Sequence, residues 1–131
     1  MNSENRVSPE STESAGVVNH VLLQRFLDEE DDFAVEMVRA AMASRAKYVS
    51  SMEQALSKGD LKSFREITHE WRGLLLNMQA LKLPEYLKEL EVRAANDIEV
   101  EPAVMAKVET LCDQLDGVFE KVLAGFLASS A

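Results

Sequence analysis

Between Val104 and Val122 the residues Val104, Val108, Leu111, Leu115, Val118 and Val122 recur in alternating steps of four and three. Only a helix gathers such positions on one stripe, and the stripe must be buried against other helices. The same rhythm runs through most of the chain. No sustained period-two alternation bounded by turn residues competes with it, and no internal repeat is evident. Pro and Gly number only 3 and 5 in 131 residues, and 47% of the chain is hydrophobic. A chain of this length supports one helical domain with a real core and gives no argument for two.

The punctuation divides it further. Residues 1–16, MNSENRVSPESTESAG, hold four serines and little to bury, and read as a disordered Ser-rich tail. Asn19 is placed to cap a short first helix, which ends near the acidic run Asp28 to Asp31. Asp32 can cap a long second helix, Phe33 to Lys58, with Met37, Val38, Ala41, Tyr48, Met52 and Leu56 inward. Gly59 stops it, and Asp60 caps a third helix from Leu61 to about Ala80. Pro84 suits the first turn of a fourth helix carrying Leu83, Leu87, Leu90 and Ala94, closed by Asn96-Asp97. Pro102 opens the last. Four amphipathic helices on short connections fold most simply as an all-α, antiparallel up-down-up-down four-helix bundle over residues 17–128, with the short N-terminal helix capping one end.

Charge and cysteine use narrow the partners. Fourteen basic residues against 23 acidic ones leave a net charge of −9, which repels phosphate backbones and argues against nucleic acid or anionic membrane. The single cysteine, Cys112, cannot close an intrachain disulfide and fits a reducing compartment. No apolar run approaches the roughly 18 residues of a spanning helix, and no apolar signal core is present. These readings place the chain in the cytoplasm.

The third helix carries the functional argument. At about 100° per residue, Phe64, Ile67, Trp71, Leu74, Leu75 and Met78 define its core face, and His69 lies nearly opposite. The surface neighbours of His69 are Lys62, Arg65, Glu66, Arg72, Gly73 and Leu76. A mid-helix glycine costs about 1 kcal/mol against alanine, so Gly73 asks for a reason. Helical side chains lean toward the N-terminus, and one at position 73 would lean over the imidazole. Gly73 leaves that imidazole open, and Arg72 can lean back to set a cation beside it. An open imidazole beside a guanidinium suits a nucleophile that carries a phosphoryl group. Gly117 and Gly125 also fall inside the last helix, so a mid-helix glycine alone decides nothing.

The stretch KGDLKSFREITHEWRG, Lys58 to Gly73, resembles the centre of a histidine phosphotransfer (HPt) domain, whose signature is His-x-x-Lys-Gly on a helix after a Gly-Asp turn. VLLQRFLDEEDDFAVEMV resembles that family's N-terminal cap and second helix, and LPEYLKELE the helix after the histidine. The resemblance spans about residues 18 to 127. It implies a monomeric phosphorelay carrier in which His69 accepts a phosphoryl group from one receiver-domain aspartate and hands it to another. Arg72 would steady the phosphoryl group, Gly73 would give access, and Lys62, Arg65, Glu66 and Leu76 would meet the partner. The partners so implied are response-regulator receiver domains and a hybrid sensor histidine kinase. Mg²⁺ would sit on the receiver, this chain needing no cofactor of its own. No Gly-rich phosphate loop of the P-loop or kinase type is present, which fits a carrier rather than an enzyme.

Three positions depart from the family pattern. Arg72 replaces the usual lysine, Leu76 stands where a small residue is common, and Gln79 stands where glycine is usual. Leu76 and Gln79 keep open a phosphorylation-incompetent relative that binds and sequesters a receiver; a plain helical interaction module is the more distant alternative. Rival chemistry fares worse. His69-Glu70 begins an HExxH zinc motif, but Gly73 occupies the second histidine position. Glu66-x-x-His69 is half of a di-iron pattern, and His20, the only other histidine, has Val17 three residues before it. His20 reads as a surface residue, Cys112 as a small core residue, and Trp71 and Tyr48 as core packing.

Overall fold

The computed structural model describes residues 16–130. Apart from Gly16, the Ser-rich tail lies outside the described residues. Six helices follow: α1 (His20–Glu30), α2 (Asp32–Ala43), α3 (Arg45–Ser57), α4 (Leu61–Asn77), α5 (Lys82–Ala95) and α6 (Val104–Ser130). The described residues form no strand beyond one isolated bridge between Val18 and Ala80. The fold is all-α, as the periodicity requires.

Asn19 caps α1 as expected, its Oδ1 accepting from the Leu22 N–H at 3.0 Å. The single long helix expected over 33–58 is instead two, with a bend at Ser44. There the Ser44 hydroxyl donates to the Ala41 carbonyl at 2.7 Å, a local side-chain bond that competes with the helical ladder. Asp32 also lies inside the first turn of α2 rather than capping it; Asp31, at φ 51°, is the boundary residue. Asp32 thus acts through its charge at the positive end of the helix.

Three helices end in one way. After α3, Gly59 adopts φ 68°, with Gly59 N–H bonded to Leu56 O and Asp60 N–H to Ala55 O. After α4, Gln79 adopts φ 68°, with Gln79 N–H on Leu76 O and Ala80 N–H on Leu75 O. After α5, Asp97 at φ 55° repeats the arrangement on Ala94 and Arg93. Each is a Schellman closure, which places one left-handed residue just past the helix. α4 therefore stops at Asn77, three residues short of the expected end.

Helix α4 packs against α3 and α5, while α6 packs on α2, α3 and α5. The expected stripe of α5 is buried: Leu83, Leu87, Leu90 and Ala94. In α6 the seam is displaced. Met105, Val108, Leu111, Cys112, Leu115, Phe119 and Leu123 are buried, whereas Val104, Val118 and Val122 are only partly so. Three neighbouring helices bury a wider arc than a two-helix seam, and it takes in Met105, Cys112, Phe119 and Leu123, the residues that follow Val104, Leu111, Val118 and Val122. The segment before α1 is tied down as well. Asn19 N–H donates to Gln79 O and Leu81 N–H to Val17 O, both at 2.8 Å, with Val17 and Val18 buried. No helix among the described residues is long and apolar enough to cross a membrane.

Candidate functional site

Packing fixes the rotation of α4. Phe64, Thr68, Trp71 and Leu75 are buried along one side, with Ile67 and Leu74 partly so. Thr68, absent from the expected core, satisfies its hydroxyl by donating to Phe64 O at 2.6 Å. Tyr48 of α3 stacks on Trp71 with ring centroids 5.5 Å apart, and its hydroxyl donates to Glu70 at 2.6 Å. That bond, aided by burial, pushes the Tyr48 hydroxyl up to about 12. With Trp71 and Glu70 so held, His69 faces outward with 67% of its side chain exposed.

The imidazole is not left to rotate. Its Nδ1 lies 2.8 Å from Oε2 of Glu91, on α5. The other oxygen of Glu91 accepts from Arg72 Nε at 3.0 Å. A carboxylate only accepts, so the 2.8 Å contact assigns a proton to Nδ1, and the neutral ring in this tautomer carries its lone pair on Nε2. Nε2 has no hydrogen-bond partner among the described residues. Arg72 Nη2 stands 3.5 Å from Nδ1; both are donors in this tautomer, so the guanidinium is a neighbouring cation there. Glu91 and Arg72 are about four-fifths covered, at 19% and 21% side-chain exposure, which strengthens their pairing relative to a surface ion pair.

The other expected site residues fall around this centre. Lys62, Glu66 and Gly73 are exposed, and Arg65 is half-buried. Leu76, 43% exposed, sits seven residues past His69 and so on the same face. A Cβ added at Gly73 would meet nothing within 4 Å. Alanine therefore fits at 73, and only a longer side chain could reach back over the ring. Gln79 belongs to the closure of α4, not to the histidine face. Sequence reasoning missed Glu91. The Leu90-Glu91 pair at the end of LPEYLKELE was its signal, since a buried Leu90 turns the next residue toward a flank of α5. Of the remaining candidates, His20 is exposed and Cys112 is buried, where burial pushes its thiol up to about 12 and leaves it inert. No group of three or more potential metal ligands occurs among the described residues.

No protein-family model matches the chain, and no curated protein matches it. Among solved structures, it is similar to the crystal structure of histidine-containing phosphotransfer protein B (HptB) from Pseudomonas aeruginosa PAO1, at 23% identity and a TM-score of 0.61. That likeness covers 88% of this chain and 96% of the other. The chain has the fold of that phosphotransfer protein.

Proposed function

We propose that this chain is a histidine phosphotransfer protein of a phosphorelay, and that His69 is its phosphoryl-accepting residue. Its architecture is read as an antiparallel four-helix bundle capped by α1. In support, Tyr48 meets Trp71 across the α3–α4 turn and His69 meets Glu91 across the α4–α5 turn. The observation that carries the function is the Glu91 contact at Nδ1, which leaves Nε2 as the outward lone pair.

The chemistry balances without a cofactor in this chain. Nε2 attacks the phosphorus of a receiver's aspartyl phosphate. The N–P bond forms as the P–O bond breaks, and the aspartate departs as carboxylate. The ring retains its Nδ1 proton and becomes a cation, whose charge the Glu91 carboxylate stabilises in place. Arg72 holds Glu91 through Nε and keeps its terminal nitrogens for phosphoryl oxygens. The reverse sequence delivers the group to a second receiver. The carrier supplies the nucleophile and a docking face of Lys62, Arg65, Glu66 and Leu76; the receiver supplies Mg²⁺. Partners of this kind are response-regulator receivers and a hybrid sensor histidine kinase, met in the cytoplasm by a monomer.

The test is phosphoryl transfer from ³²P-labelled receiver domains, with His69→Gln alongside. Acid-labile, base-stable label on the parent alone is the expected result. Label persisting in His69→Gln would sink the site. A receiver that binds without transferring label would instead support a sequestering adaptor, to which the exposed Leu76 lends an apolar contact. Neither binding nor label would leave a plain interaction module.

A further inference from the structure

Trp71 is the only tryptophan of the chain and is 1% exposed. Its Nε1 is buried and finds no acceptor among the described residues. Buried donors in folded proteins are nearly always satisfied, by protein or by ordered water. The same indole lines a cavity of about 10 Å³, the size of a single water-sized sphere. Leu75, Leu115 and Phe119 are among its apolar walls, and Arg45 and Asp116 are its charged ones. These two pair at 2.9 Å through Arg45 Nη1 and Asp116 Oδ2, which leaves the carboxylate with lone pairs to spare.

We propose that this cavity is a hydration site for one ordered water. The water accepts from Trp71 Nε1–H and donates to the Asp116 carboxylate. A purely apolar cavity of this size would stay dry, but a donor that needs an acceptor and a carboxylate in the same lining give a water the partners it requires. The bridge joins α4, two residues past His69, to α6 and to the first residue after the α2–α3 bend. It thereby helps to fix the rotation of α4, and with it the direction of His69. The inference is independent of the phosphoryl chemistry.

The single tryptophan makes the test unambiguous, because only one indole N–H resonance exists. A water-selective rotating-frame NOE experiment on the ¹⁵N-labelled protein reads whether a long-lived water sits against that proton. The parent and Asp116→Asn, which keeps an acceptor, should both show the cross-peak. Asp116→Leu, which fills the space with an apolar side chain while Arg45 keeps Glu109 and Asp113, should lose it with unchanged helicity. A parent without the cross-peak would overturn the proposal whatever the variants do. An undiminished cross-peak in folded Asp116→Leu would overturn the bridge to Asp116.

Discussion

Glu91 uses one carboxylate for two tasks, orienting the imidazole with one oxygen and anchoring Arg72 with the other. Replacing it with leucine should separate geometry from exposure, since His69 would stay in solvent but lose its tautomer control. A charge-assisted hydrogen bond contributes about 1.5 kcal/mol, so phosphoryl uptake by Glu91→Leu should fall roughly tenfold. The ¹⁵N spectrum of His69 should move from one tautomer to a mixture. Unchanged uptake with an unchanged tautomer would remove Glu91 from the site. Gly73 invites a paired test. Because a methyl group there meets nothing, Gly73→Ala should stabilise α4 by about 0.5–1 kcal/mol and leave uptake intact. Gly73→Leu should fold equally well but slow transfer, because its longer side chain leans toward the ring. If both variants transfer at the parent rate, access to the imidazole is not why glycine stands there.

The helices meet their ends and neighbours through bonds of unequal legibility. Gly59 announced the end of α3, because glycine is the residue that enters the left-handed region without steric cost. Gln79 gave no such signal, and only the bonds from Gln79 and Ala80 back to Leu76 and Leu75 reveal the same closure. A side chain at that backbone geometry is strained, so Gln79→Gly should raise stability by about 0.5–1 kcal/mol, read as a higher urea midpoint at unchanged slope. A lower midpoint would show that Gln79 contributes packing that outweighs the strain. Tyr48 gives the contact between α3 and α4 a pH signature. Its hydroxyl is raised above the ordinary value by its bond to Glu70, to about 12. The folded state therefore holds that proton more tightly than the unfolded one. The contribution is complete below the unfolded value of about 10 and fades as pH rises toward 12. Tyr48→Phe should be less stable than the parent by about 1–2 kcal/mol near neutrality, and the gap should narrow by about pH 11.5. Urea titrations at the two pH values check this, and a constant gap would mean the hydroxyl bond is not its source.

Across the whole molecule, what could be read from sequence was what neighbours three and four apart determine. The core stripes of α4 and α5 and the outward His69 follow from local periodicity, and the structure places them accordingly. The Ser44 bend is local, but its side-chain bond to the Ala41 carbonyl leaves no mark on the apolar periodicity. The displaced α6 seam and Glu91 at the site depend on residues that meet only after the chain folds back, 22 positions apart for His69 and Glu91. No single-helix projection contains them. The same division separates stability from function. His69 is two-thirds exposed, and a glutamine there can still donate to Glu91, so His69→Gln should change stability by less than about 1 kcal/mol while abolishing phosphoryl uptake. Two residues on, Trp71 is buried against Tyr48, and Trp71→Ala should cost about 3–5 kcal/mol. Urea midpoints and label uptake measured on both variants place each residue on its own axis. A His69→Gln protein that unfolds with its activity would mean that the histidine belongs to the core, and that the outward Nε2 on which the phosphoryl chemistry rests does not exist.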